Sequence, residues 1–121
     1  MAEANQLAAR ISRAVDDARE RIVELHRSFV TVRSVTGEEG PMGARAAAAF
    51  KERGLEVDTW VATAAEMRAY LEHVGEQTVY AGRTNVAGRR KGTGGGRSIL
   101  LNAHIDTVPE GDHALWTQAP Y

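Results

Sequence analysis

The amino-acid sequence predicts an α/β fold, and three observations support that prediction. Apolar residues recur every three or four positions between Leu7 and Phe29, which is the period of one helix face. Residues 55–61 and 84–90 have the composition of short strands. Residues 98–103 have an unbroken Ile-Leu-Leu centre, which predicts a strand buried on both faces of a covered sheet. The predicted order of elements is helix, helix, strand, helix, strand, strand, which indicates α/β architecture.

Several residues mark where the predicted helices begin and end. No glycine or proline interrupts the first helical pattern before Gly37, and residues 34–40 then form a loop. Pro41 suits the start of the second helix, where its missing N–H costs nothing, and Gly54 suits its end. Thr63 and Glu66 have the spacing of a capping box at the start of a third helix. The buried face of that helix is predicted at Met67, Tyr70, Leu71 and Val74, and its end at Gly75.

The composition excludes several classes of function. The chain has 121 residues, with 15 Lys and Arg against 16 Asp and Glu, and its formal net charge is −1. This balance gives no support for binding to nucleic acid or to a membrane surface. The absence of cysteine excludes disulfide scaffolds, zinc–thiolate sites and thiol nucleophiles. The sequence shows no apolar run of the ~20 residues that span a bilayer and no signal-peptide pattern, so we expect a cytoplasmic protein.

The best candidate for chemistry follows the Ile-Leu-Leu segment. His104 and Asp106 are two positions apart, so in extended backbone they project to the same side. We expect them in a cleft beyond the carboxyl end of a central strand, where open α/β sheets usually bind ligands. A neutral imidazole is a good zinc ligand, and a nearby carboxylate can fix its orientation. The alternative is a histidine at a strand end and an aspartate in a turn, each satisfied by backbone groups.

Residues 98–112, followed by Trp116 and the final Pro-Tyr pair, resemble the first signature of a family of zinc hydrolases. That family contains aminoacylases, acetylornithine deacetylase, succinyl-diaminopimelate desuccinylase and carboxypeptidase G. The loop at residues 34–39 and the order of the predicted elements are similar as well, so the resemblance covers nearly the whole chain. It implies that residues 1–121 are the amino-terminal part of a three-layer αβα catalytic domain.

The resemblance also implies roles for two residues. His104 matches the histidine that binds one of two zinc ions, and Asp106 matches the catalytic-site aspartate that supports this imidazole. Such enzymes hydrolyse an amide bond next to a free carboxylate, in N-acyl amino acids or short peptides. The two metals polarise the carbonyl and activate a bridging water, while a glutamate transfers protons. A histidine with a carboxylate would also suit cobalt or manganese.

The other metal ligands of the family, its general-base glutamate and its smaller dimerisation domain lie downstream of this motif. We therefore expect the chain to be about the amino-terminal third of such an enzyme and inactive alone. Homodimers are expected of the complete enzyme. The alternative function is that of a non-catalytic, truncated paralogue acting as a structural or interaction module, with apolar surface at Ile99, Leu100 and Leu101.

The remaining histidines have simpler interpretations. Asp112 and His113 are chemically able to bind a metal, but a polar turn is the favoured interpretation. His73 is predicted to interact favourably with the C-terminal dipole of a helix. His26 adjoins the first apolar stripe and is predicted to be a partly buried packing residue.

Three polar or glycine-rich segments complete the predictions. Glu38 and Glu39 are predicted to be solvated loop charges, or to support the start of the next helix. Residues 92–97 lead into a predicted strand, which favours a turn, whereas phosphate-binding loops lead into a helix. The basic residues 89–91 with Arg97 are predicted to form a solvated rim.

Overall fold

The computed structural model describes residues 2–70, 72 and 79–121. It combines several helices with a small sheet, which confirms the α/β prediction in its coarse form. The helices and strands are α1 (Ala2–Asp17), α2 (Arg19–Val30), α3 (Gly40–Glu52), β1 (Glu56–Val61), α4 (Ala64–Met67) and β2 (Thr84–Arg89). Short 3-10 helices are formed by Arg68–Tyr70 and His113–Leu115. The chain divides into two compact units, of which the first ends at Thr31 and the second begins at Val32.

The first unit consists of α1 and α2. The single apolar stripe of the sequence spans both helices, which are separated at Ala18. The N–H of Ala18 lies 3.2 Å from the carbonyl of Ala14 and 3.1 Å from that of Val15, so the helical turn tightens there. No glycine or proline marks this break, which explains why the stripe predicts one helix. The predicted partial burial of His26 is wrong, because its side chain is exposed on α2.

In the second unit, α3 packs against a two-stranded antiparallel sheet of β1 and β2. Gly88 of β2 lies opposite Val57 and allows this close packing. A Cβ atom at position 88 would lie 2.6 Å from Cδ2 of Phe50 and 2.7 Å from Cδ2 of Leu55. The core of the described residues is small and aliphatic: Val35, Met42, Ala46 and Ala49 are its buried hydrophobic side chains.

The predicted helix boundaries are confirmed at α3 and at the start of α4. Pro41 lies in the first turn of α3, and Gly54 follows its end with a φ of 70°, a backbone conformation that favours glycine. The capping box is complete: Thr63 N–H donates to the Glu66 carboxylate at 2.9 Å, and Glu66 N–H donates to Thr63 Oγ1 at 3.2 Å. On the predicted buried face Met67 is half-buried, but Tyr70 is exposed. The predictions for Leu71, His73, Val74 and Gly75 lie outside the described residues.

The predicted strand at residues 98–103 is wrong. The structure assigns no strand there, and Ile99, Leu100 and Leu101 are highly exposed, with Leu100 at 90 %. An Ile-Leu-Leu run indicates burial, which requires neighbouring strands and covering helices on both faces. Within the described residues the sheet has only β1 and β2, so the run has neither. The preceding turn is confirmed, since Gly94 and Gly95 have φ values of 91° and 73°.

Candidate metal-binding site

Two distant segments of the second unit meet around the His-x-Asp motif. We call residues 33–39 the support loop and residues 104–110 the motif segment. Thr107 N–H donates to Ser34 O at 2.9 Å and Thr36 N–H donates to Thr107 O at 3.2 Å, which makes a short parallel bridge. The Ser34 hydroxyl donates to Ile105 O at 2.8 Å, and Ser34 is only 1 % exposed. The support loop therefore fixes the backbone of the motif segment.

His104 and Asp106 are in direct contact. The Nδ1 atom of His104 lies 3.1 Å from Oδ1 of Asp106 and 3.1 Å from the carbonyl oxygen of Asp106. A carbonyl and an ionised carboxylate can only accept hydrogen bonds, so Nδ1 carries the proton and donates. In the neutral ring Nε2 then has a free lone pair. The His104 side chain is 86 % exposed, and Nε2 has no hydrogen-bond partner among the described residues.

The second oxygen of the Asp106 carboxylate is occupied by a residue of the support loop. Thr36 Oγ1 donates to Oδ2 of Asp106 at 2.8 Å. This hydroxyl is the main cause that lowers the pKa of Asp106 below its ordinary value, and the contact with His104 lowers it further. Asp106 is therefore ionised at neutral pH, as an acceptor for Nδ1–H must be. Sequence reasoning missed Thr36, because nothing in the local pattern connects positions 36 and 106.

An ion-paired arginine holds the far end of the motif segment. Arg33 Nε donates to Glu110 Oε1 at 2.5 Å, and Arg33 Nη1 also pairs with Glu38. The hydrogen bond from Arg33 is the main cause that lowers the pKa of Glu110 to about 2. The carbonyl of Glu110 accepts from Trp116 Nε1 at 2.9 Å. The support loop thus holds the motif segment at Ile105–Thr107 through its backbone and at Glu110 through charge.

The prediction that Glu39 is a solvated loop charge is wrong. Glu39 is 5 % exposed and forms a two-pronged ion pair with Arg83, with Nη2–Oε1 and Nε–Oε2 distances of 2.8 and 2.9 Å. It also accepts from Gly37 N–H at 2.9 Å. Burial raises the pKa of Glu39, but the hydrogen bonds from Arg83 and Gly37 outweigh burial and lower it overall. Glu38 is exposed as predicted and pairs with Arg33.

The polar residues after the motif segment have structural roles. Asp112 Oδ1 accepts from Ala114 N–H at 2.9 Å and caps the short helix that begins at His113, so the polar-turn interpretation is confirmed. No group of three or more His, Asp or Glu side chains suited to hold a metal ion is found within residues 2–70, 72 and 79–121. The basic rim is confirmed as exposed, with Arg89 and Lys91 both paired to Glu56.

Comparison with known proteins gives no family for this chain. No family model matches the sequence, and no solved structure matches it. Among helices built from described residues, none combines the length and the apolar character needed to cross a bilayer. The site is therefore interpreted from its own geometry.

Proposed function

We propose that this chain carries the first ligand motif of a metal-dependent hydrolase that cleaves amide bonds in N-acyl amino acids or short peptides. The observation that supports metal binding is the contact of His104 Nδ1 with the Asp106 carboxylate at 3.1 Å, whereas the reaction and the substrate class rest on the resemblance of residues 98–112 to the zinc hydrolases. A metal-binding histidine almost always donates its other ring N–H to a carboxylate, a carbonyl or water. Here two of those acceptors face Nδ1, while Nε2 is exposed.

The donor set fits one position of a zinc site. His104 would bind the ion through Nε2, and Asp106 would support the imidazole without touching the metal. Zinc suits this imidazole ligand, and cobalt or manganese would suit it as well. When bound, the metal supplies the Lewis acid that polarises the amide carbonyl and activates water.

We further propose that the metal site needs ligands other than the polar residues nearest the motif. A catalytic zinc takes about three protein ligands and keeps one open position. Of the polar residues nearest the motif, Asp112 is occupied by a backbone N–H and Asp106 by His104 and Thr36. The motif segment would then belong to the amino-terminal part of a three-layer αβα catalytic domain, with a pair of metal ions completed by other residues.

The test compares metal binding and hydrolysis in matched variants. Equilibrium dialysis against Zn²⁺ is measured for the wild-type chain, His104→Ala and His113→Ala, together with hydrolysis of N-acetyl amino acids. We expect weak Zn²⁺ binding that is lost in His104→Ala and kept in His113→Ala, with no turnover by the 121-residue chain. Equal Zn²⁺ binding by His104→Ala and wild type would overturn the assignment of His104. Tight binding of two zinc ions with turnover would overturn the proposal that other ligands are needed.

One observation favours a second candidate function, that of a non-catalytic interaction module. Ile99, Leu100 and Leu101 form a contiguous, exposed apolar segment, and such segments favour association. Light scattering of wild type and Leu100→Asp distinguishes the two functions. An interaction module predicts concentration-dependent association that Leu100→Asp abolishes, whereas a monomeric wild type with a cooperative unfolding transition contradicts it.

A further inference from the structure

The Asp106 carboxylate connects the support loop to His104. Its Oδ1 atom faces Nδ1 of His104 at 3.1 Å, and its Oδ2 atom accepts from the Thr36 hydroxyl at 2.8 Å. Each oxygen of the carboxylate therefore has a different partner. A hydrogen bond to a charged acceptor is stronger than one between neutral groups, so both contacts favour a single orientation of the carboxylate.

Packing alone does not fix that orientation. The side chain of Asp106 is 36 % exposed and that of His104 is 86 % exposed, so water reaches both side chains. The Thr36 hydroxyl is the one side-chain donor to Oδ2 among the described residues. Without it, water would compete for the carboxylate and the carboxylate could turn away from Nδ1.

The backbone of the site does not depend on this hydroxyl. Ser34 and the main-chain atoms of Thr36 bind the segment Ile105–Thr107 through three hydrogen bonds, none of which uses Thr36 Oγ1. Thr36 is also exposed, so its side chain contributes little to the core. The effect of the hydroxyl on the carboxylate is therefore separable from the fold.

We propose that Thr36 is a positioning residue for the metal ligand: its hydroxyl holds the Asp106 carboxylate so that the proton stays on Nδ1 of His104 and the lone pair on Nε2. Thr36 Oγ1–H donates to Asp106 Oδ2, and His104 Nδ1–H donates to Asp106 Oδ1. The relevance of these contacts to metal binding rests on the proposed function. The effect of the Thr36 hydroxyl on the tautomer of His104 does not depend on the proposed function.

The experiment uses the full chain and four variants. Thr36→Val keeps the shape but removes the donor, Thr36→Ala removes the donor with less bulk, and Thr36→Ser keeps the donor. Thr31→Val is the matched control, because it removes an exposed hydroxyl whose hydrogen bond among the described residues goes to the carbonyl of Ser28. The ring-nitrogen tautomer of His104 is measured by ¹⁵N NMR at a pH where the ring is neutral, and Zn²⁺ affinity is measured by equilibrium dialysis. Solvent protection of the Thr107 amide reports whether the backbone bridge is intact.

We expect His104 to carry its proton on Nδ1 in wild type, Thr36→Ser and Thr31→Val. In Thr36→Val and Thr36→Ala the ring should shift in part toward the tautomer protonated on Nε2, because the carbonyl of Asp106 still faces Nδ1 at 3.1 Å. Zn²⁺ affinity should fall by up to about tenfold, the low end of the range for such supporting residues. The Thr107 amide should stay protected in at least one of these two variants, and that variant decides the outcome.

Two results would overturn the inference. One is an unchanged tautomer in a variant that lacks the hydroxyl and keeps the Thr107 amide protected. The other is loss of Thr107 protection in both Thr36→Val and Thr36→Ala, because the hydroxyl would then support the backbone. Failure of the proposed function is distinguishable: wild type would bind no Zn²⁺ at His104, while the tautomer would still respond to Thr36→Val.

Discussion

Two neighbouring stretches of the chain differ sharply in what holds them. The Ile-Leu-Leu centre of residues 98–103 predicts a buried strand, yet no backbone hydrogen bond joins these residues to any other described residue, and Leu100 is 90 % exposed. The motif segment that follows is held by the support loop through its backbone, through Asp106 and through Glu110. Contacts with the support loop, which is about 70 residues away in sequence, therefore position His104 and Asp106. The apolar run before them does not.

The largest expected effect comes from the ion pair that anchors the support loop. Glu39→Ala removes a buried carboxylate and leaves Arg83, whose side chain is 20 % exposed, without that partner. Loss of one member of a buried pair costs about 3–5 kcal/mol, and the partial exposure of Arg83 places this variant near 3 kcal/mol. Urea unfolding measures the change in the free energy of unfolding.

Glu39→Gln is the matched control, because it keeps the shape and one acceptor oxygen. Glu39→Gln should lower the free energy of unfolding less than Glu39→Ala does. A loss below about 1 kcal/mol in Glu39→Ala would show that this ion pair does not anchor the support loop.

A smaller loss is expected when the buried hydroxyl of the support loop is removed. Ser34→Ala leaves the Ile105 carbonyl without its 2.8 Å hydrogen bond, at a position that is 1 % exposed. Loss of such a part-buried hydrogen bond costs about 0.5–1.5 kcal/mol. Ser12→Ala, at an exposed position of α1, should stay within about 0.5 kcal/mol of wild type in the same urea experiment. Equal losses in the two variants would contradict the role given to Ser34.

The pH dependence of stability should come from the same region. Arg33 lowers the folded-state pKa of Glu110 to about 2 from an ordinary value of 4.5, so Glu110 contributes stability above that ordinary value. This contribution should be lost as the pH falls from about 4.5 toward 2. Carboxyl ¹³C NMR of Glu110 should show a midpoint near 2 in wild type and a clearly higher midpoint in Arg33→Ala. An unchanged midpoint in Arg33→Ala would contradict the assignment of this shift to Arg33.

The smallest effect on stability is expected in the exposed stretch. Leu100→Ser should change the free energy of unfolding by no more than about 0.5 kcal/mol, because the side chain is already 90 % exposed. The same substitution in a strand buried on both faces would cost several kcal/mol. Urea unfolding of Leu100→Ser therefore tests whether this stretch is unsupported in solution, and a loss above about 2 kcal/mol would show that it is packed.

The parts of the fold that the sequence predicts correctly are those fixed by nearby residues. Thr63 and Glu66 make their capping box within one helical turn, and Gly54 ends α3 in the conformation that only glycine adopts easily. The contact of His104 with Asp106 is also local, and their spacing predicts that the two side chains project to the same side. These features depend on neighbours within four positions.

The features that the sequence does not predict depend on distant partners. Glu39 looks like its neighbour Glu38 in sequence, and only the contact with Arg83 makes it a buried charge. Thr36 has no local signal that connects it to Asp106, because the parallel bridge between Val35 and Thr107 brings them together. Burial of residues 98–103 is predicted from their composition, but composition cannot supply the strands and helices that would cover them.

A Zn²⁺ titration of the wild-type chain, followed by NMR at the ring nitrogens of each histidine, tests whether His104 is the metal ligand. His26 and His113 are exposed, and neither has a carboxylate that supports its ring among the described contacts, so they serve as internal controls. We expect Nε2 of His104 to respond first and Nδ1 of His104 to keep its proton throughout. A response of His26 or His113 at the same or lower Zn²⁺ concentration, or binding at Nδ1 of His104, would show that Nε2 of His104 is not the metal ligand.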